Sequence, residues 1–367
     1  MALAALHHDL VPSVVLANAG TPLMWAGALH LLVGNMLIGI IEGSLLSWLF
    51  KTPRGKSIML LVVANYVSAW GGGVGIVEPL AHIPDITIVN ARLWLCLFVA
   101  VAFIITVIIE LPFFWHLFRG RQNSLWRAGI AALLIHGISY SMLFVWYWAA
   151  SGTSMLTQLE VVPARELLPK ENYALYFITP DGARAVKSDL AGSGMEVVRS
   201  LSARGRHDRL FVRPGKGGGF DLFVLLNAVE GGGKTEELIA GDFADLAAIE
   251  WNIEQKPSVK AEDLWLNFGS VPSLASATDW KCHAGFWAVE GIYGENERIK
   301  HRFQFSLETP FAQWAVRNAT QIEGNCVVFQ LGYDQICILQ PHLKKIALIA
   351  RGKGPVVARQ KGGRDVK

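Results

Sequence analysis

Residues 93–115 read LWLCLFVAVAFIITVIIELPFFW, a run whose single charge is Glu110. At a helical rise of 1.5 Å per residue it reaches about 34 Å, enough to cross the ~30 Å hydrocarbon core of a bilayer. A helix that is apolar on every side finds its solvent in lipid or in a deep core. Working outward, 91–118 is predicted as a membrane helix, and 23–50, 57–80 and 127–150 pass the same test of length and apolarity. The front of the chain is therefore read as a four-helix transmembrane domain over 23–150, preceded by a leader over 1–22.

The back of the chain has another character. From Thr153 onward charges are dense and no apolar run approaches membrane length. The averages, 17% charged residues and a mean hydropathy of +0.35, mix an oily half with a water-soluble one. The formal net charge of +3 belongs to the tail, where Arg351, Lys353, Arg359, Lys361, Arg364 and Lys367 outweigh Asp365. It gives no ground for a nucleic-acid partner, and the lipid bilayer is the first partner the composition implies.

Charge also orients the helices. Lys51, Arg54 and Lys56 follow the first helix and Arg119, Arg121 and Arg127 follow the third, whereas the second connection carries Glu78, Asp85 and only Arg92. Positive loops stay in the cytoplasm. Both termini and the soluble domain are then extracytoplasmic, in what is expected to be a bacterial plasma membrane. Trp25, Trp94, Trp146 and Trp148 would lie toward the outer interface and Trp48, Trp115 and Trp126 toward the inner one. Residues 17–19 resemble a signal-peptidase site, but Asp9 and Pro12 interrupt the stretch before them, which favours an uncleaved leader.

Polar residues inside hydrocarbon are costly, so their depth matters. Counted from the cytoplasmic ends of the four expected helices, Glu42, Asn65, Glu110 and His136 all fall ~12–14 Å in, a common layer to which each helix contributes once. Asn35 and Gly39 share the helix face of Glu42, and Gly39 with Gly43 forms a small-xxx-small pair that lets helices approach closely. Two Glu, one His and one Asn suit a proton or ion site, or a divalent metal, and equally suit hydrogen bonds that only hold the bundle together. A bis-histidine haem does not fit, because His30 and His136 are separated in depth by ~17 Å. Pro112, just beyond Glu110, is expected to bend its helix.

Behind a connector over 151–170, short runs rich in β-branched and aromatic residues begin at 173–179, 209–213, 221–226, 286–292, 302–306, 327–331, 335–339 and 345–350. An all-β soluble domain is expected over 171–357, with a basic tail over 358–367 and one helix at 242–251 behind Asp242. Residues 175–180 (LYFITP), 336–341 (ICILQP) and 210–214 (LFVRP) form an imperfect repeat of a strand ending in Pro, the first two returning to a Gly-containing loop. Such hairpins suit a β-propeller of about four blades, with a sandwich or a barrel as alternatives.

Several motifs carry less than they suggest. Residues 228–235 (AVEGGGKT) nearly match a phosphate-binding loop, but the first Gly is Ala228 and no parallel βαβ pattern surrounds it, so a Gly-rich strand connection is expected. Cys96 reads as a packing residue within its helix. Cys282, Cys326 and Cys337 allow one disulfide, although a two-residue turn near Gly332 would set Cys337 opposite Val328 rather than Cys326. Cys282-His283 lacks the second ligand pair of a structural zinc site. Asn318-Ala-Thr320 is a glycosylation acceptor only in a eukaryotic secretory pathway.

No nucleophile elbow, metalloprotease helix or paired Cys-x-x-Cys is present, and the sequence specifies no cofactor. The function expected from these observations is non-enzymatic: a membrane anchor whose extracytoplasmic β domain binds a protein partner in a larger membrane complex. The alternative places activity in the bundle, with a proton, ion or metal at Glu42, Asn65, Glu110 and His136.

Overall fold

The protein is described from a computed structural model. It covers residues 30–80, 86–150 and 153–360, apart from 155–158, 204, 206–207, 216–219, 227–234, 242–245, 248–268, 272, 275–278, 285–291, 307, 310–311 and 314–315. The chain divides into two units, one of Met1–Asp85 with Leu93–Ala150, the other of Ile86–Arg92 with Ser151–Lys367.

The first unit is helical. A π-helical turn at His30–Gly34 leads into α1 (Asn35–Phe50), followed by α2 (Arg54–Leu80), α3 (Ala91–Phe118) and α4 (Ser124–Ala150). Among the described residues, three stretches are long and apolar enough to cross a membrane: Leu32–Phe50, Ala91–Phe118 and Ser124–Val145. The helix α2 is as long, but Asn65, Ser68, a Gly-rich run from Gly71 and Glu78-Pro79 dilute its apolarity. The helix α3 continues through Pro112.

Tight packing between α1 and α2 follows from two glycines. A Cβ on Gly39 would lie 2.5 Å from the Cα of Val62, and one on Gly43 would lie 2.5 Å from the Cα of Ile58. Only hydrogen fits there. The α1 C-terminus is closed by Arg121, whose guanidinium donates to the carbonyls of Phe50 and Lys51, both at 3.0 Å. A cation on the last carbonyls answers both their missing hydrogen bonds and the negative end of the helix dipole. It also brings the first and third connections, the two basic ones, to one end of the bundle.

The second unit is built of strands in open sheets; among the described residues none closes into a barrel. One sheet runs from Val316–Ile322 through Cys326–Leu331, Gln335–Gln340 and Lys345–Arg351 to Glu160–Val161. A second runs from Glu196–Ser200 through Arg184–Asp189, Tyr173–Ile178 and Lys353–Gln360 to Leu246–Ala247. A third is Arg209–Pro214, Phe220–Leu226 and Thr235–Ala240, and a fourth contains Trp280–Ala284, Ile292–Asn296 and His301–Ser306.

Three apolar cores explain why the strands read as unbroken hydrophobic runs. In Cys326–Leu331, Val327 and Phe329 enter a core shared with Trp280 and Ile292, while Cys326 and Val328 enter one shared with Leu175 and Phe177. In Tyr173–Ile178, the alternate residues Ala174, Tyr176 and Ile178 join a third core with Leu210, Leu222 and Val224. Side chains alternate along a strand, so a strand covered on both faces is apolar throughout.

Four expectations change. Leu246 and Ala247, inside the stretch expected to be helical, pair antiparallel with Gln360 and Arg359, so strand pairing overrides local propensity there. The expected connector contributes Glu160–Val161 to a sheet and Ala164 and Leu167 to a core. The turn after Leu331 has three residues, pairing Leu331 with Gln335 and Phe329 with Cys337, with Gly332 at φ 64°. Cys326 and Cys337 thus face different cores and form no disulfide. Finally, Lys353–Gln360, most of which had read as turn or tail, is a full strand beside Tyr173–Ile178, with Pro355 at its register shift, where a missing N–H is tolerated.

The Gly-rich near-match at 228–235 falls mostly outside the described residues. Its flanks are described: Leu226 pairs antiparallel with Thr235, so the segment joins two neighbouring strands. A phosphate-binding loop requires a helix there instead. Asn318 is buried at φ 47° and closed to a glycan in the folded chain.

Candidate functional site

Each of the four helices gives at least one polar side chain to a cluster inside the first unit. Glu42 comes from α1, Asn65 and Ser68 from α2, Glu110 from α3 and His136 from α4; all are buried, and Glu42, Glu110 and His136 are at most 1% exposed. The glycine face of α1 is what brings Glu42 close to α2, since it lies one turn from Gly39 and beside Gly43.

The hydrogen bonds have a simple logic. Asn65 Nδ2 donates to Glu42 Oε2 at 2.7 Å, and Ser68 Oγ donates to Glu110 Oε1 at 2.6 Å. One oxygen of each carboxylate is therefore held by α2, and the other is turned toward His136. On one side of the ring, Nδ1 is hydrogen-bonded to Glu42 Oε1 at 3.2 Å, with Nδ1 the donor when Glu42 is ionised. On the other, Nε2 lies 3.5 Å from Glu110 Oε2. Neither of these last two atoms has a hydrogen bond. The ring is also held edge to face by Phe114, with centroids 5.5 Å apart.

Glu42, Glu110 and His136 each present a ligand atom, and the three atoms lie within 4.8 Å of one another. Two carboxylates and an imidazole in low dielectric can hold a proton, or a metal ion, whose positive charge offsets their mutual repulsion. One turn away, Thr106 and Tyr140 share a hydrogen bond of 3.2 Å, extending the polar seam between α3 and α4.

The residues singled out from the sequence are thus placed as follows. Glu42, Asn65, Glu110 and His136 meet in one cluster. Asn35 is buried on the same face of α1, roughly 10 Å along the axis from Glu42 at the helical rise. Ser68 was missed, although its spacing of three from Asn65 was a readable signal; serine is common enough in helices to pass unnoticed. Cys282 and His283 sit at successive positions of one strand, with Cys282 in a core.

The chain matches no protein-family model, and no curated protein is significantly similar to it.

Proposed function

We propose that this is a membrane protein that binds an exchangeable cation in its helix bundle, at a site made by Glu42, Glu110 and His136 and ordered by Asn65 and Ser68. The observation that carries the reading is the pair of buried atoms facing each other, His136 Nε2 and Glu110 Oε2, neither of which is hydrogen-bonded. A cluster that served only to hold helices together would close this 3.5 Å gap to hydrogen-bond length, because an under-satisfied polar pair in hydrocarbon is costly. Ionisable groups gathered at membrane depth mark ion or proton sites. The reading takes α2 as the fourth span, which its length and its place in the cluster support, and keeps both termini outside the cytoplasm on the charge rule.

The test is a count of protons taken up by the full chain in lipid nanodiscs between about pH 9 and pH 5, for the wild type and for Glu42→Gln/Glu110→Gln. The expected result is greater uptake by the wild type. Equal uptake by two folded proteins would overturn the reading.

A second reading concerns the β region, which we take to be a small propeller that docks a protein partner of a larger membrane complex. The propeller is supported by sheets that share cores in succession and by a C-terminal strand, Lys353–Gln360, that pairs with the early strand Tyr173–Ile178. Docking is supported by the terminal strand Glu196–Ser200, beside which Met195 is 64% exposed and within which Val197 is 51% exposed. Charged substitutions at both positions should abolish co-purification of a stoichiometric partner while leaving the fold intact; unchanged co-purification would exclude this edge.

A further inference from the structure

The spacing of the facing atoms also bears on which cation fits them. His136 Nδ1 is taken up by Glu42 at 3.2 Å, which leaves Nε2 as the ring atom that faces Glu110 Oε2, at 3.5 Å. A proton shared between them would draw nitrogen and oxygen to roughly 2.7–3.2 Å. A metal ion would not. Zinc binds imidazole nitrogen at about 2.0–2.1 Å and carboxylate oxygen at about 2.0–2.2 Å, and at a tetrahedral angle the two ligands then stand roughly 3.3–3.5 Å apart.

We propose that His136 Nε2 and Glu110 Oε2 bind a divalent transition-metal ion of the zinc class, with Glu42 as the positioning carboxylate on Nδ1; this inference rests on the cation-site reading above. The arrangement carboxylate, imidazole, metal is the one that fixes a metal-bound histidine's tautomer and raises its basicity. Ser68 does the corresponding work for Glu110, holding Oε1 so that Oε2 points at the ion. Imidazole nitrogen selects transition metals over magnesium and calcium, which favour oxygen shells. Two carboxylates balance the ion's charge, and two protein ligands leave coordination positions for water or a transported group.

The experiment uses the full chain, with a tag free of histidine, in detergent micelles. After chelation and desalting it is loaded with zinc, cobalt(II) or magnesium alone. One zinc per chain is expected to survive gel filtration. Cobalt should give the intense visible absorption of a tetrahedral site, and magnesium should not displace it. Glu110→Gln and His136→Gln should each weaken zinc at least about tenfold, and Glu42→Gln about 10–100-fold through the imidazole. The cobalt spectrum of the unsubstituted chain needs no variant, so a misfolded substitution leaves the test intact. Absence of both retained zinc and the cobalt band overturns the proposal, as does equal zinc binding by wild type and variants. If the wild-type excess in proton uptake persists in that case, the bundle keeps its proton site and only the metal is lost; if it is absent too, both readings fall together.

Discussion

In the β region the buried amides answer the backbone. Gln330 Nε2 donates to the carbonyls of Gly332 and Tyr333, at 3.1 and 2.7 Å, and its Oε1 accepts from the N–H of Gly354 at 2.8 Å. Gln335 Oε1 accepts from the N–H of Ile88 at 2.8 Å. These groups are neutral, and they serve turns and connections that no strand ladder reaches. In the helical region the backbone is already satisfied within each helix. Buried there, beside neutral groups such as Asn65 and Ser68, are two carboxylates and an imidazole, and these three address one another. Polar groups that complete the backbone serve architecture, whereas ionisable groups gathered where the backbone asks for nothing are available for chemistry.

The comparison can be broken or sharpened by experiment. The largest contrast is expected from the β-region thiols. Burial pushes Cys282 and Cys326 up to about 12, and Cys337 higher still. Against an ordinary value of 9.0, alkylation at neutral pH should be slowed on the order of 1000-fold, as followed by mass spectrometry. The sign for stability follows: an unfolded chain ionises its thiols near 9 and the folded one does not, so stability is level below that pH and falls as pH climbs toward 12. Circular dichroism through that range checks it, and ready labelling of the folded chain would show that these cores are not dry.

Next in size is Gln330→Ala, which strips one N–H and two carbonyls of their partner. A loss of about 2–4 kcal/mol is expected, read as a lowered midpoint in urea. Gly39→Ala should cost about 1–3 kcal/mol, because its methyl meets the backbone of α2 and the neighbour cannot turn aside as a side chain would. Thermal unfolding in detergent measures it, and an unchanged midpoint would mean that α1 and α2 are not so closely apposed. The smallest effect on stability is expected from Glu110→Gln, under about 1 kcal/mol, since an amide keeps the Ser68 contact and carries no ionisable group into the buried site. A collapse of the fold in that variant would instead align the helical cluster with the amides of the β region.

Much of this is legible in the sequence. The 93–115 run dictated a helix long and apolar enough to cross a membrane, and counting residues from the basic loops put Glu42, Asn65, Glu110 and His136 at one depth. What counting could not supply was direction: which oxygen faces the ring, or that Ser68 holds Glu110. In the β region, strands such as Gln335–Gln340 and Lys345–Arg351 were readable from β-branched density, while Val316–Ile322 was not, because Arg317, Asn318 and Gln321 give it the letters of a loop. The helix read at 242–251 failed at Leu246 and Ala247 because a pairing with residues more than a hundred positions away decides their conformation.

One detail of the β region has a practical corollary. Its core includes Ile88, from the connection between α2 and α3, and Ala91, the first residue of α3, and the N–H of Ile88 ends on Gln335. A fragment starting at Ser151 would be born with a hole where that isoleucine sits and with an amide oxygen left dangling. Anyone wishing to crystallise the β region alone should splice residues 86–92 back onto it, or supply them as a peptide.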